Sequence, residues 1–418
     1  MNILIKSANI IDKKSPFHQQ VKDLLIKEDQ IVEIADVISL PKNTKEINLE
    51  NLHISNGWFD TSVSFGEPGY EERETIENGL EVAAKSGFTD VAVNSNNTPY
   101  TDTKSAVSFL LSQSRHKATD LYPIANLTRQ SEGFEMAELY DMKNAGAIAF
   151  GDYNKSITND NLMKLALLYA QNFKGLVLSF PLNTAIAADG MANESENSTR
   201  LGLKGMPNLA EELQISRDLF LLEYTGGKLH IPSISTAKSV ALIREAKRKN
   251  LQVTCSVTAH HLLLTDTELE SFNGNVKVLP PLRTKTDIKA LLKGIKDGTI
   301  DCITSDHNPI DIEHKKVEFN NAKYGTIGLE NLFASLHTIL DTETIIDKLT
   351  TKPREIFGLE ENIIDVGNKA CLSLFNPDKT GIFTESDILS TSKNAIFLDK
   401  KIKGEVYGIY TNNQLVIK

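Results

Sequence analysis

The chain has 418 residues, 40% of them hydrophobic, with 45 Lys and Arg against 55 Asp and Glu and a formal net charge of −10. That length can bury a large core and suits one barrel domain plus an accessory part, while an acidic chain with no stripe of Lys and Arg interleaved with aromatics speaks against a nucleic-acid partner. No apolar run approaches ~20 residues, so no membrane-spanning helix is expected.

Residues 1–54 read as short strands, NILIKSANII, DLLIKEDQIVEIA and TKEINLE, broken by turns. The opening MNILIKSANIID alternates like a strand and lacks the charged-then-apolar order of a secretion leader. From 55 to 364, strands alternate with helices: RETIENGLEVAAKS precedes the strand GFTDVAVN, and NDNLMKLALLYAQN precedes GLVLSF. This alternation predicts an α/β fold, a closed parallel (β/α)8 TIM-type barrel. DGMANESENSTRLGLKGMPNLAEE is polar and Gly-rich, and reads as a long rim loop leading into a helix. From 365 to 418 strands return, in ACLSLFNP, NAIFLD and KGEVYGIYTNNQLVIK. Two β pieces at the ends of one barrel most simply join into one small β-sandwich. Cys255, Cys302 and Cys371 have no pairing pattern and lie in apolar text, so buried free thiols and a reducing, cytoplasmic setting are expected.

The segment from Asp60 to Gly69 reads as a strand running into the turn Glu67-Pro68-Gly69-Tyr70. Side chains alternate along a strand, so Ser62 and Ser64 share a face, and in a parallel barrel that face is the inner rim where catalytic groups collect. Two imidazoles there would form a facial pair for zinc, whereas a neutral hydroxyl is a poor zinc ligand. Taken alone, two serines on a strand are simply strand residues.

Their surroundings carry more. FDTSVSFGEPGYEERETIENGLEVAAKSGFTDVAVNSNNTP is followed in order by NLTRQSEGFEMAELYDMKNAGAIAFGD, LHIPSISTAKSV, TAHHLLLTDTELE, KVLPPLRTKTD, TSDHNP, GTIGLENLFASL and TTKPREIFGLE. Along essentially its whole length this text resembles the dihydroorotases, cyclic amidohydrolases of pyrimidine biosynthesis within the amidohydrolase superfamily. The resemblance implies one or two zinc ions held by four histidines and two aspartates. Carried over position by position, the histidines fall on Ser62, Ser64, Ser179 and Ser233, and the aspartates on Asp152 and Asp306, the latter also the family's catalytic base. All four histidine positions are serine, each within matching text. The family's substrate-binding arginine and one asparagine fall on Gly66 and Leu279, which can bind no carboxylate. Asn96 and His307 survive as remnants of substrate binding.

No neighbour is expected to replace the lost ligands. His230 lies three positions before Ser233 on a strand and should face the other way. His260 and His261 read as structural, and no His-Glu-x-x-His helix occurs. A Ser-His-Asp triad at Asp306 and His307 lacks a Gly-x-Ser-x-Gly elbow, and adjacent strand residues diverge. Metals in such enzymes supply hydroxide and polarise the carbonyl, whereas a general base alone gives roughly 10²–10⁴-fold, too little for amide hydrolysis. Asp152 and Asp306, brought close without a cation, should raise one another's proton affinity, with serine hydroxyls donating to them.

The expectation is therefore a catalytically inactive dihydroorotase-like homologue with no metal or other cofactor. Inactive relatives of that family act as scaffolds for aspartate transcarbamoylase, so the resemblance implies assembly with its catalytic chain, and a homodimer. The alternative is a cyclic amidohydrolase, hydrolysing dihydroorotate to carbamoyl aspartate, with an unusual or weak zinc site around Asp152, Asp306 and His307. A third reading is a small-ligand protein using the vacated pocket.

Overall fold

A computed structural model describes residues 2–418. Eight parallel strands follow one another in chain order around a barrel: Trp58–Val63, Phe88–Val93, Asp120–Ala125, Ala149–Phe150, Leu176–Leu178, Lys228–Ile231, Val253–Thr258 and Cys302–Thr304. Their sequences are almost uniformly apolar or buried, as strands covered on both faces must be. The barrel closes just past the last strand, where the Ser64 amide donates to the His307 carbonyl at 2.6 Å and Val63 bridges His307 in parallel register. Closure thus brings residues 62–64 beside 306 and 307, although some 240 positions separate them in sequence.

The helices start where the sequence supplies caps. Thr75 accepts from the Asn78 amide at the head of Ile76–Lys85, and Asn159 accepts from the Leu162 amide before Asp160–Ala170. Each satisfies one of the orphan donors of a helix N-terminus, an effect of about 1 kcal/mol.

Both chain ends contribute to one eight-stranded sheet. Ile3–Ile11 pairs antiparallel with Val21–Lys27, which in turn pairs antiparallel with Gln30–Ala35. Along its other edge Ile3–Ile11 pairs first with Lys45–Ile47, then with His53–Asn56, so the sheet forks there. Leu372–Ile382 adds antiparallel to His53–Asn56, followed by Lys401–Thr411 and Gln414–Ile417. The two hairpins turn at Glu28-Asp29 and Asn412-Asn413, all four residues with positive φ, which matches the twist of paired strands. Trp58, fully buried, joins sheet to barrel: it stacks on Phe333 at 5.0 Å, touches Phe88 and Phe375, and donates from Nε1 to Ser55.

Two segments differ from expectation. NAIFLD is a turn, not a strand: Ala395, Ile396 and Phe397 are buried in the barrel's core cluster, and the Ile396 amide is taken by Thr326 Oγ1 instead of a strand neighbour. The polar stretch before helix Asn208–Thr225 is ordered, with two short paired strands, Ala192–Asn193 and Gly205–Met206, around helix Glu196–Leu201. Ser195 and Ser198 form a reciprocal cap on that helix, and buried Arg283 donates to Asn193 Oδ1 and the Met206 carbonyl, both at 3.0 Å.

Candidate active site at the barrel rim

Past Thr304 the last strand gives way to Asp306 in a left-handed conformation (φ 47°), which turns its side chain into the barrel mouth. There Asp306 Oδ1 accepts from Ser62 Oγ at 2.9 Å and from Tyr153 Oη at 3.0 Å. Asn94 donates from Nδ2 to the hydroxyls of both Ser62 and Ser64, at 3.1 and 3.2 Å. The two serines thus do share the inner face. Asn94 and Tyr153 complete this network; sequence reasoning missed both, since no spacing links them to Ser62, Ser64 or Asp306 before the barrel closes.

The other positions scatter. Ser179 turns outward and donates to Asp218 Oδ2 at 2.7 Å, a buried carboxylate also held by Arg217 and Gln214. Ser233 lines the cavity and is anchored through its amide to Ser256 Oγ at 3.2 Å. His230 lines the same cavity, contrary to the expected opposite face. The strand ends at Ile231, and Pro232 and Ser233 (φ 53°) leave the extended conformation, so two-residue alternation no longer relates 230 to 233. His230 is still no substitute ligand: its nitrogens are engaged by Thr254 Oγ1 at 2.9 Å and Ser256 Oγ at 3.3 Å, and among the described residues it joins no group of metal-ligating side chains. His260 and His261 are buried structural residues, His261 lying between Thr258 Oγ1 and the Pro280 carbonyl.

Asp152 also lines the cavity but turns toward the Asn126–Thr128 loop, accepting from Asn126 Nδ2, the amides of Leu127 and Thr128, and Thr128 Oγ1. Its pKa is raised by burial, and these donors oppose the rise. Burial likewise raises Asp306, to about 6, against the hydrogen bonds from Ser62 and Tyr153, with a further upward push from the charge of Asp60. The expected mutual repulsion of Asp152 and Asp306 is thus not the source of either shift. A threonine, not a serine, serves Asp152.

The substrate remnants lie apart. His307 is fully buried, accepts at Nδ1 from the Gly328 and Leu329 amides at 3.2 and 3.4 Å, and packs its ring near Phe65. Those contacts place its proton on Nε2, which has no hydrogen-bond partner. Asn96 is half-buried with Oδ1 unpaired. Neither lines the cavity. At Gly66 an added Cβ would lie 1.8 Å from the Tyr70 carbonyl oxygen, because the loop folds back with Tyr70 N donating to Gly66 O at 2.8 Å. An arginine cannot occupy that position without opening the loop. Leu279 belongs to an apolar group with Phe180, Met206 and Ala210, and Phe180 forms part of the cavity wall.

The cavity itself leaves about 30 Å³ in which water-sized particles fit, room for about one water. Ligand pockets run roughly 300–1,000 Å³. Among the described residues no three His, Cys, Asp or Glu side chains converge as a metal site would require. The donor chemistry agrees: of the four serines, one hydroxyl is committed to Asp306 and another to Asp218, and no imidazole replaces them. Zinc does not fit these residues.

Residues 53–239 match the family model described as dihydro-orotase-like. A dihydroorotase from Syntrophus aciditrophicus (strain SB) is 36% identical over 423 residues, covering 100% of this chain and 99% of the relative. One from Caldicellulosiruptor saccharolyticus is 37% identical over 426 residues, covering 100% and 98%. Among solved structures, L-hydantoinase (dihydropyrimidinase) from Arthrobacter aurescens superposes with a TM-score of 0.84 at 19% identity, over 100% of this chain and 97% of that one. Dihydropyrimidinase from Brevibacillus agri NCHU1002 gives the same score and identity, over 100% and 95%. Those likenesses establish the fold, a TIM-type barrel with an additional sheet domain. Full-length identity above a third to proteins named dihydroorotase places this chain in the dihydroorotase-like family of amidohydrolases.

Proposed function

We propose that this chain is a dihydroorotase-like protein of pyrimidine biosynthesis that retains the fold without turnover and serves as an assembly partner for the catalytic chain of aspartate transcarbamoylase. The observation that carries the loss of turnover is the Ser62–Asp306 hydrogen bond at 2.9 Å: the residue at the family's base position is closed onto a serine at a ligand position, and that serine lines a cavity with room for about one water. The resemblance to the dihydroorotases, a family whose inactive members act as such scaffolds, together with a full-length barrel, supports the assembly role.

The alternative, a cyclic amidohydrolase with an unusual site, has one observation in its favour. Asp306, raised to about 6, lies in the range of a useful general base. The donors beside it are already used, however, Tyr153 Oη on Asp306 itself and Asn94 Nδ2 on Ser62 and Ser64, and the remnants Asn96 and His307 lie outside the cavity lining.

The test mixes the purified chain with the transcarbamoylase catalytic chain of the same organism. Mass is read by size-exclusion with light scattering, alongside transcarbamoylase activity and dihydroorotate hydrolysis. A joint mass, altered transcarbamoylase activity and no hydrolysis are expected. Hydrolysis by this chain alone would overturn the inactive reading, and two unchanged masses with unchanged activity would overturn the assembly role.

A further inference from the structure

Two short stretches, 237–249 and 285–297, hold nine Lys and Arg against three Asp and Glu, a local charge of +6 on a chain of net charge −10. Everything outside them is therefore net −16. The stretches form helices Ala237–Arg248 and Lys285–Lys296. The Ala237 amide donates to Asp287 Oδ1 at 3.0 Å in their first turns, and Arg244 Nη2 donates to Asp297 Oδ2 at 2.8 Å near their ends, so the two lie side by side and run the same way. Gly294 permits the close approach, since an added Cβ would lie 3.0 Å from Val240 Cγ1.

On the second helix Lys285, Lys289, Lys293 and Lys296 stand at spacings of four, four and three residues, which places them on one face, and all four are exposed. Among the described residues none of the four has an ion pair or a hydrogen bond, whereas Arg244, Lys247 and Lys249 beside them are paired with Asp297, Asp301 and Glu223. The helix's own stability does not account for the run. Like charges four residues apart weaken a helix, and Lys285 sits in the first turn, at the positive end of the dipole, where a carboxylate would stabilise.

Length and surroundings decide what such a stripe recognises. From Lys285 to Lys296 it spans about 16 Å. Its attraction fades within a Debye length of about 8 Å at physiological salt, so a long polyanion such as nucleic acid would overrun it onto an acidic chain. No aromatic residue stands in either stretch to stack a base, and no exposed large apolar side chain is there to enter a lipid surface. A short anion of matching pitch fits: a helix with carboxylates at four-, four- and three-residue spacings sets one charge against each ammonium. We propose that the Lys285–Lys296 stripe docks an acidic helix of a protein partner, about three turns long. The inference is read from charge and spacing, and rests neither on the loss of turnover nor on assembly with transcarbamoylase.

The probe is a labelled, alanine-rich peptide of about 15 residues with glutamates at those spacings, and its control has the same composition with the glutamates spread round the helix. Fluorescence anisotropy at low salt should give a Kd of about 0.1–1 mM, the scale of four exposed ion pairs, and about fivefold weaker binding of the control. Physiological salt should weaken binding about tenfold. The quadruple variant Lys285→Gln, Lys289→Gln, Lys293→Gln, Lys296→Gln should also weaken it about tenfold. Lys42→Gln, Lys104→Gln, Lys174→Gln, Lys316→Gln removes the same charge from exposed positions elsewhere and should leave affinity within about twofold. If the stripe variant does not fold, coupling to the unaltered chain decides. A carbodiimide activates a peptide glutamate, a lysine amine attacks to give an amide, and the reagent leaves as its urea; mass spectrometry should place that amide within 285–296. Amides scattered over the surface would overturn the proposal. So would no binding at low salt, equal loss in both quadruple variants, or equal affinity for the two peptides. Tighter binding of an oligodeoxythymidine or of phosphatidylserine vesicles, lost in the stripe variant, would assign the stripe to nucleic acid or lipid and overturn it as well.

Discussion

Replacing Asp306 with Asn should make the protein's stability less dependent on pH. A carboxyl whose folded pKa is raised holds its proton more tightly in the native chain than in the unfolded one, so its stabilising contribution is full below the unfolded value of 3.8 and is lost as pH rises through about 6. That shift corresponds to about 3 kcal/mol over the whole range, of which about 2 kcal/mol falls between pH 4.5 and 7. Asparagine keeps an oxygen where Ser62 and Tyr153 donate and never ionises. Any fixed cost of its amide group shifts the stability by a constant, leaving the pH-dependent part intact. The variant should therefore gain about 2 kcal/mol on the parent between pH 4.5 and 7. Urea unfolding at matched pH values measures this, followed by fluorescence of Trp58, the single tryptophan and fully buried. Other titrating groups largely cancel in the difference, and the push from the Asp60 charge is already part of the Asp306 shift. A stability gap that stays constant from pH 4.5 to 7 would refute the claim that Asp306 sits in the barrel as a strained, proton-hungry carboxyl.

Purified protein should carry far less than one zinc per chain, and a chelator should leave its melting temperature unchanged; elemental analysis finding one or two tightly held ions would contradict the reading of the four serines. Histidine restored at Ser62, Ser64, Ser179 and Ser233 is expected to recover zinc before turnover, since Gly66 and Leu279 still bind no carboxylate; full dihydroorotate turnover by that variant would mean the carboxylate clamp counts for little. Gly66→Arg, the family residue, should destabilise the chain by about 1–3 kcal/mol, because its Cβ meets the Tyr70 carbonyl; a melting temperature equal to the parent's would show that the 66–74 loop opens freely.

What the sequence made legible was what local periodicity carries. Alternating βα text located the barrel, and the resemblance marked the serines of which Ser62 and Ser233 line the cavity. The side-chain network was not legible, because its bonds join residues far apart in the chain: Ser62 with Asn94, Tyr153 with Asp306, Ser179 with Asp218. No spacing rule connects such pairs before barrel closure does. The face of His230 was misjudged for a related reason, since alternation holds only within a strand and this one stops at Ile231. NAIFLD misled because an apolar run satisfies a core contact as readily as a strand, and its amide partner, Thr326, lies in another segment.

The proposed absence of metal ligands fits the way the site's remaining carboxylates are satisfied. A simple vacancy would leave two ionised aspartates facing an empty rim, which costs several kcal/mol for each charge taken from water without a partner. Instead Asp152 has four donors from its own neighbouring loop and Asp306 has two hydroxyls, one of them from a serine where the family keeps a ligand. Ser179 donates to Asp218 on helix Asn208–Thr225 and does not face the mouth. Hydrogen bonds of this kind tie that helix to the barrel interior, the arrangement expected if, as proposed, the fold outlives its chemistry.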